Sequence, residues 1–178
     1  PAYKSIKFNN IRFNSKDCKT NDIFFSIHGN KLNGNNYIKD AIKNGSKIIV
    51  SNLNFEGFNK EKILFIKRKN PRKALAEAAS NFYTKKPKNI IAITGTNGKT
   101  SIANFFYQIL SLSKKKAATV GTLGVLSKKF NLKTNNTTLD PLKIHYTLQK
   151  LKDLKIDNVI IEASSHGLKQ HRLDGINI

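Results

Sequence analysis

The chain has 178 residues and a mass of 20.0 kDa, with 32 lysines and arginines against 11 aspartates and glutamates, a formal net charge of +21. That length allows one ordinary domain or two small ones with a core packed without staples, and the single cysteine, Cys18, excludes an internal disulfide and the small secreted scaffold. No apolar run approaches the ~18 residues of a membrane span, and the first ten residues lack the charged-then-apolar order of a signal peptide, so the expected protein is soluble, without membrane insertion, and cytoplasmic.

The charge invites a nucleic-acid reading that its composition does not support. Of the 32 basic residues 28 are lysine, and only Arg12, Arg68, Arg72 and Arg172 are arginine. Phosphate and base recognition leans on the planar guanidinium fork, whereas lysine together with abundant asparagine and isoleucine is what an AT-rich genome imposes on any protein. No basic stripe is interleaved with aromatics, and the runs at 85–86, 114–116 and 128–129 fall where loops are expected. Nucleic acid is therefore not an expected partner.

In chain order, 22–27 (DIFFSI) reads as a strand, and Tyr37, Ile38, Ala41 and Ile42 have the spacing of one helix face, closed by Gly45. Further strands are predicted at 47–50 and 63–66. Asn70 followed by Pro71 is a cap and first helical position, opening a helix whose stripe is Ala74, Leu75, Ala78, Ala79 and Phe82 and which ends near Tyr83. The polar, proline-containing segment 84–88 marks a domain boundary, giving domains 1–86 and 87–178. The second half then reads as a strand at 89–93, a glycine-containing turn, a helix over about 100–112, a strand at 117–120 and a hairpin or loop over 121–136. Asp140-Pro141 repeats the cap-then-proline signal for a helix with Leu148, Leu151 and Leu154 inward, and 158–161 is an apolar strand that ends on Glu162. This alternation predicts an α/β fold with a parallel sheet and helices on its faces.

The strongest chemical signal is Thr94-Gly95-Thr96-Asn97-Gly98-Lys99-Thr100-Ser101, between an apolar strand and a helix. Glycines let the backbone wrap a phosphate, the helix start aims its free N–H groups at the anion, Lys99 reaches the β- and γ-phosphates, and Thr100 holds a magnesium ion. The loop departs from the G-x-x-x-x-G-K-[ST] pattern, because Ile93 stands five positions before Gly98. An acid at the carboxyl end of a neighbouring parallel strand completes such a magnesium shell, and Glu162 has that place. Glu162, His166 and His171 are also a conceivable transition-metal set, but their spacing matches no common zinc motif and no cysteine joins them.

These residues resemble the Mur ligases, and among them the MurE type, which adds the third amino acid to the peptidoglycan stem peptide. Gly95 to Thr100 look like the shortened phosphate loop that Mur ligases share with folylpolyglutamate synthetase. More selective are Asn136-Thr137-Thr138 and Glu162-Ala163-Ser164-Ser165-His166-Gly167-Leu168, followed by Gln170, His171 and Arg172. Asn14-Ser15, Asp22-Ile23-Phe24-Phe25 with His28-Gly29, and Phe82-Tyr83 resemble the family's N-terminal domain, so the likeness covers nearly the whole chain.

The resemblance implies a small N-terminal α/β UDP-binding domain followed by an incomplete P-loop, Rossmann-like central domain. It implies that Phe13, Ser15, His28, Gly29 and Asn30 hold the uridine end of a nucleotide sugar. Gly95, Thr96, Asn97, Gly98, Lys99, Thr100 and Ser101 bind ATP; Thr100 and Glu162 hold magnesium, with Lys99 and Glu162 catalytic. Asn136, Thr137, Thr138, Ser164, Gln170 and Arg172 hold the muramoyl dipeptide. The implied reaction is ATP-dependent amide formation: the carboxylate of UDP-N-acetylmuramoyl-L-alanyl-D-glutamate attacks the γ-phosphate, and the amine of diaminopimelate or lysine displaces phosphate from the acyl phosphate. A family chain continues to a magnesium-binding histidine, a carbamylated lysine and a C-terminal domain for the amino acid. The expectation is thus an N-terminal fragment without turnover of its own, whose incomplete sheet leaves an edge or apolar face open to self-association. A folylpolyglutamate synthetase relative or generic nucleotide-binding module is the alternative, and it gives no account of the first 80-odd residues.

Overall fold

The computed structural model describes residues 6–29, 32–134 and 136–178. Its contacts divide the chain into a unit up to Leu75 and a unit from Ala76, the division falling inside one helix.

In the first unit, β1 (Ile11–Arg12), β2 (Ile23–Phe25), β3 (Ile48–Ser51), β4 (Gly57–Phe58) and β5 (Leu64–Lys67) form a sheet of order β1-β2-β3-β5-β4. All neighbours are parallel except β4, which runs antiparallel to β5. The apolar runs IFF and IIVS are buried along their whole length, as central parallel strands covered on both faces must be. Helix α1 (Ile38–Lys43) lays Ile38 and Ala41 on Phe24, Ile49, Ile63 and Phe65, with Cys18 in the same core. Burial raises the Cys18 thiol pKa, so it is a small apolar side chain here. Sequence pattern finds β2, β3, β5 and α1 to within a residue or two. It misses β1 and β4, two-residue strands too short to show any period.

Helix α2 (Pro71–Phe82) starts as predicted: Asn70 Oδ1 accepts from the Lys73 amide at 3.1 Å and Pro71 is its first residue. Leu75, Ala76 and Ala79 are buried, but Phe82, assigned to the same stripe, is exposed at the last position.

The second unit holds β6 (Asn89–Ile93), α3 (Lys99–Leu112), β7 (Ala117–Gly121), β8 (Gly124–Ser127), α4 (Pro141–Asp153), β9 (Asn158–Glu162) and α5 (Ser165–Lys169). Its sheet order is β6-β9-β7-β8, parallel apart from the β7-β8 hairpin. Asp140 caps α4 by accepting from the Lys143 amide at 2.9 Å, and Ile144, Leu148 and Leu151 pack on Val120, Val159 and Ile161. Among the described residues β6 is an edge strand. Ile91 on it and Ile102, Phe105, Ile109 and Leu112 on α3 are exposed. No described helix is long and apolar enough to cross a membrane.

Parallel strands deliver their carboxyl ends to one rim. In the second unit the register pairs Ile93 with Glu162, so the glycine-containing loop after β6 and the acid ending β9 stand side by side.

Candidate functional site

The loop over 94–98 is exposed and joins β6 to α3. Gly95 (φ 143°) and Gly98 (φ 81°) lie in the left-handed region, where a side chain would strain the turn that brings the backbone around to the helix start. Gly98 is the N-cap of α3 and offers no side-chain acceptor, so the first amides of the helix stay available to an anion. Lys99 Nζ donates to the carbonyl of Gly95 at 2.5 Å and of Thr96 at 3.1 Å, folded over its own loop. Thr96, Asn97 and Ser101 are exposed beside it.

Glu162 is 2% exposed, yet among the described residues no cationic nitrogen lies within salt-bridge distance of it. Its oxygens accept instead from neutral donors: Oε2 from the Thr100 hydroxyl at 2.9 Å and the Thr122 hydroxyl at 3.0 Å, Oε1 from the Thr122 amide at 3.1 Å. A buried carboxylate supported by hydrogen bonds but not by a counter-charge, with a second hard oxygen at Thr100 touching it, fits an oxygen-seeking divalent cation such as magnesium. The transition-metal alternative is not assembled. His166 Nε2 pairs with Gln170 Nε2 at 2.6 Å, His171 Nδ1 pairs with Asp174 Oδ2 at 2.9 Å, and no cluster of three or more His, Cys, Asp or Glu side chains forms among the described residues.

The candidate dipeptide residues converge beside that acid. Thr138 is buried, its hydroxyl donating to the Glu162 carbonyl at 3.0 Å and accepting from the Ser164 amide at 2.9 Å. Ser164 caps α5 through the Gly167 amide at 3.0 Å, and a Cβ at Gly167 would stand 2.7 Å from Thr138 Cβ, so the close packing of α5 needs glycine there. Arg172 spreads its fork, Nε and Nη2 to Gln170 Oε1 at 3.0 and 2.8 Å and Nη1 to the Thr138 carbonyl. Thr122 Oγ1 donates to Thr137 Oγ1 at 3.1 Å, while the Asn136 side chain is exposed and its carbonyl accepts from Thr134. Thr122 and its neighbour Gly121 are absent from the sequence expectations; the only signal was a glycine-threonine step directly after a strand.

In the first unit, Phe13 is 40% exposed and Ser15 is buried at the start of a single 3-10 turn capped by Asn14. His28 Nε2 pairs with Asn52 Oδ1 at 3.1 Å, Asn35 Nδ2 donates to the same oxygen at 3.1 Å, and the His28 carbonyl accepts from Arg72 at 2.6 Å. Gly29 donates its amide to the Leu32 carbonyl at 2.8 Å; Asn30 lies outside the described residues. Asn35, Asn52 and Arg72 were not singled out from the sequence, because nothing in their local pattern separates them from the chain's many other asparagines and basic residues.

Two family descriptions match this chain. "Mur ligase family, catalytic domain" covers residues 7–83, and "Mur ligase middle domain" covers residues 93–178. The chain belongs to the Mur ligases. It is 39% identical over 180 residues to a Rickettsia montanensis protein named UDP-N-acetylmuramoyl-L-alanyl-D-glutamate-2,6-diaminopimelate ligase, covering 99% of this chain and 37% of that one. A Bradyrhizobium diazoefficiens protein of the same name is 36% identical over 100% of this chain and 36% of its own length. This Mur ligase chain thus spans little more than a third of these relatives. A solved structure of a ligase with that name superposes with a TM-score of 0.79 at 27% identity, over 96% of this chain and 35% of the other. The Thermotoga maritima MurF ligase in complex with ADP shares the fold, with a TM-score of 0.58 at 20% identity over 91% of this chain and 33% of that one.

Proposed function

We propose that this chain is the nucleotide-sugar-binding and ATP-binding part of a cytoplasmic MurE-type ligase, an enzyme that adds diaminopimelate or lysine to UDP-N-acetylmuramoyl-L-alanyl-D-glutamate. The observation that carries the reading is the buried Glu162 carboxylate, without a salt-bridge partner among the described residues and touching Thr100, one strand from a glycine-bounded helix N-terminus. The domain boundary we assign is at 86–87, within the stretch between the two family matches.

On this reading the amides at the start of α3 and the Lys99 ammonium take the phosphates of ATP, Lys99 exchanging the Gly95 and Thr96 carbonyls for phosphoryl oxygens. Thr100 and Glu162 are the protein's oxygen donors to magnesium, which supplies charge neutralisation at the transferring phosphoryl group. Thr137, Thr138, Ser164 and Gln170 position the muramoyl dipeptide so that its free carboxylate faces the γ-phosphate, with the Arg172 guanidinium as partner for an anionic group. Phe13, Ser15 and the turn His28-Gly29-Asn30 take the uridine end. No side chain acts as a covalent nucleophile, because the acyl phosphate forms on the substrate.

Calorimetric titration of UDP-N-acetylmuramoyl-L-alanyl-D-glutamate into the chain tests this. Saturable binding is expected, weakened about tenfold by Arg172→Ala through loss of a charged hydrogen-bonding partner. A nucleotide module of another kind shows heat with ADP and none with the muramoyl dipeptide. Phosphate release from ATP with that ligand and diaminopimelate or lysine is expected to stay at background for these 178 residues, since relatives are nearly three times as long.

A further inference from the structure

We propose that the Gly121-Thr122 step is the positioning element of the magnesium acid, fixing the Glu162 carboxylate and joining it to Thr137; this rests on the reading of Glu162 as a magnesium-binding residue. Both oxygens of Glu162 are held by the same residue, Oε1 by the Thr122 amide and Oε2 by its hydroxyl. Two contacts from one residue fix the plane of a carboxylate as well as its place, which a single bond from Thr100 does not. Space for the carboxylate comes from the residue before, since a Cβ on Gly121 would stand 2.1 Å from Oε1, 2.3 Å from Cδ and 2.5 Å from Cγ of Glu162. The β7-β8 turn is therefore shaped around this one side chain.

Thr122 Oγ1 also lies 3.1 Å from Thr137 Oγ1. A hydroxyl carries one proton, so Thr122 donates either to Glu162 Oε2 or to Thr137 Oγ1, and the carboxylate is the stronger acceptor. Thr137 is thus a competing acceptor for the Thr122 proton, which links a candidate dipeptide contact to the metal-binding oxygen. A ligand that takes the Thr137 oxygen removes the competing acceptor, and thereby changes how firmly Oε2 is held. Thr122 is a positioning residue in this account, acting through Glu162.

The test measures ADP affinity of the 178-residue chain by calorimetry, once with magnesium chloride and once with EDTA, and takes the ratio as the magnesium gain. Thr122→Val, which keeps the shape and deletes the hydroxyl, is expected to cut that gain about tenfold and leave the EDTA affinity unchanged. Thr122→Ser is expected to restore it, and Thr122→Ala supplies a second hydroxyl deletion that adds no volume. Thr137→Val, which removes the competing acceptor, is expected to raise the gain, and to have no effect in the Thr122→Val background. A wild-type gain in both Thr122→Val and Thr122→Ala, or an equal weakening with and without magnesium, overturns the inference while Glu162→Gln still abolishes the gain. Absence of any gain in the wild-type chain, or an unchanged gain in Glu162→Gln, overturns the reading of the site itself.

Discussion

Gly121→Ala will lower the stability of the chain by about 1–3 kcal/mol and remove the magnesium dependence of nucleotide binding. The added methyl meets the Glu162 side chain at 2.1–2.5 Å, and Glu162 is 2% exposed, with no open side to move into. Either the β7-β8 turn shifts, breaking the contacts of Thr122 with both carboxylate oxygens, or Glu162 changes rotamer and leaves Thr100. The first route releases the carboxylate from the residue that fixes its plane, and the second separates the two proposed magnesium donors. Urea denaturation reads the first effect, and ADP titration with and without magnesium reads the second. The phosphate loop is untouched, so ADP affinity in EDTA should persist.

Acid will weaken the fold through His145. The ring is completely buried on α4, with Nε2 donating to the Asp174 carbonyl at 3.1 Å and Nδ1 without a hydrogen-bond partner among the described residues. Burial pushes its pKa down to about 4 from 6.5, opposed by the Asp174 carbonyl and aided by the Lys86 charge. The folded-state value is below the unfolded one, so the unfolded chain takes up the proton first as pH falls. The contribution of neutral His145 is present above pH 6.5 and is lost as pH falls toward 4, a total of about 3 kcal/mol. Denaturation midpoints at pH 7 and pH 4.5 for the wild type and His145→Gln separate this from the titration of carboxylates: the wild type should fall more steeply.

Much of this was legible in sequence where one local rule decides. Asp140-Pro141 and Asn70-Pro71 start helices because a side-chain acceptor and a ring-fixed φ act within three residues. The buried parallel strands declared themselves as unbroken apolar runs. The loop between β6 and α3 was legible as a glycine pattern between a strand and a helix. Glu162 was legible only as a companion to that loop, since its burial and its lack of a counter-charge depend on register across the sheet. Thr122 and Gly121 were not legible, because their roles come from a contact 40 residues away in sequence. The same holds for Asn35 and Asn52 around His28, brought together by strand ends and loops of the first unit. Short elements such as β1 and β4 owe their existence to neighbouring strands and carry no periodic signal of their own.

The most direct test of the central claim, that the loop over 95–101 with Glu162 is a magnesium-nucleotide phosphate site, is calorimetric titration of ADP with magnesium into the wild-type chain and into Lys99→Ala. The account predicts saturable binding that strengthens with magnesium and weakens about tenfold when the Lys99 ammonium is removed. Binding that ignores both magnesium and Lys99, or no binding at all, would contradict it.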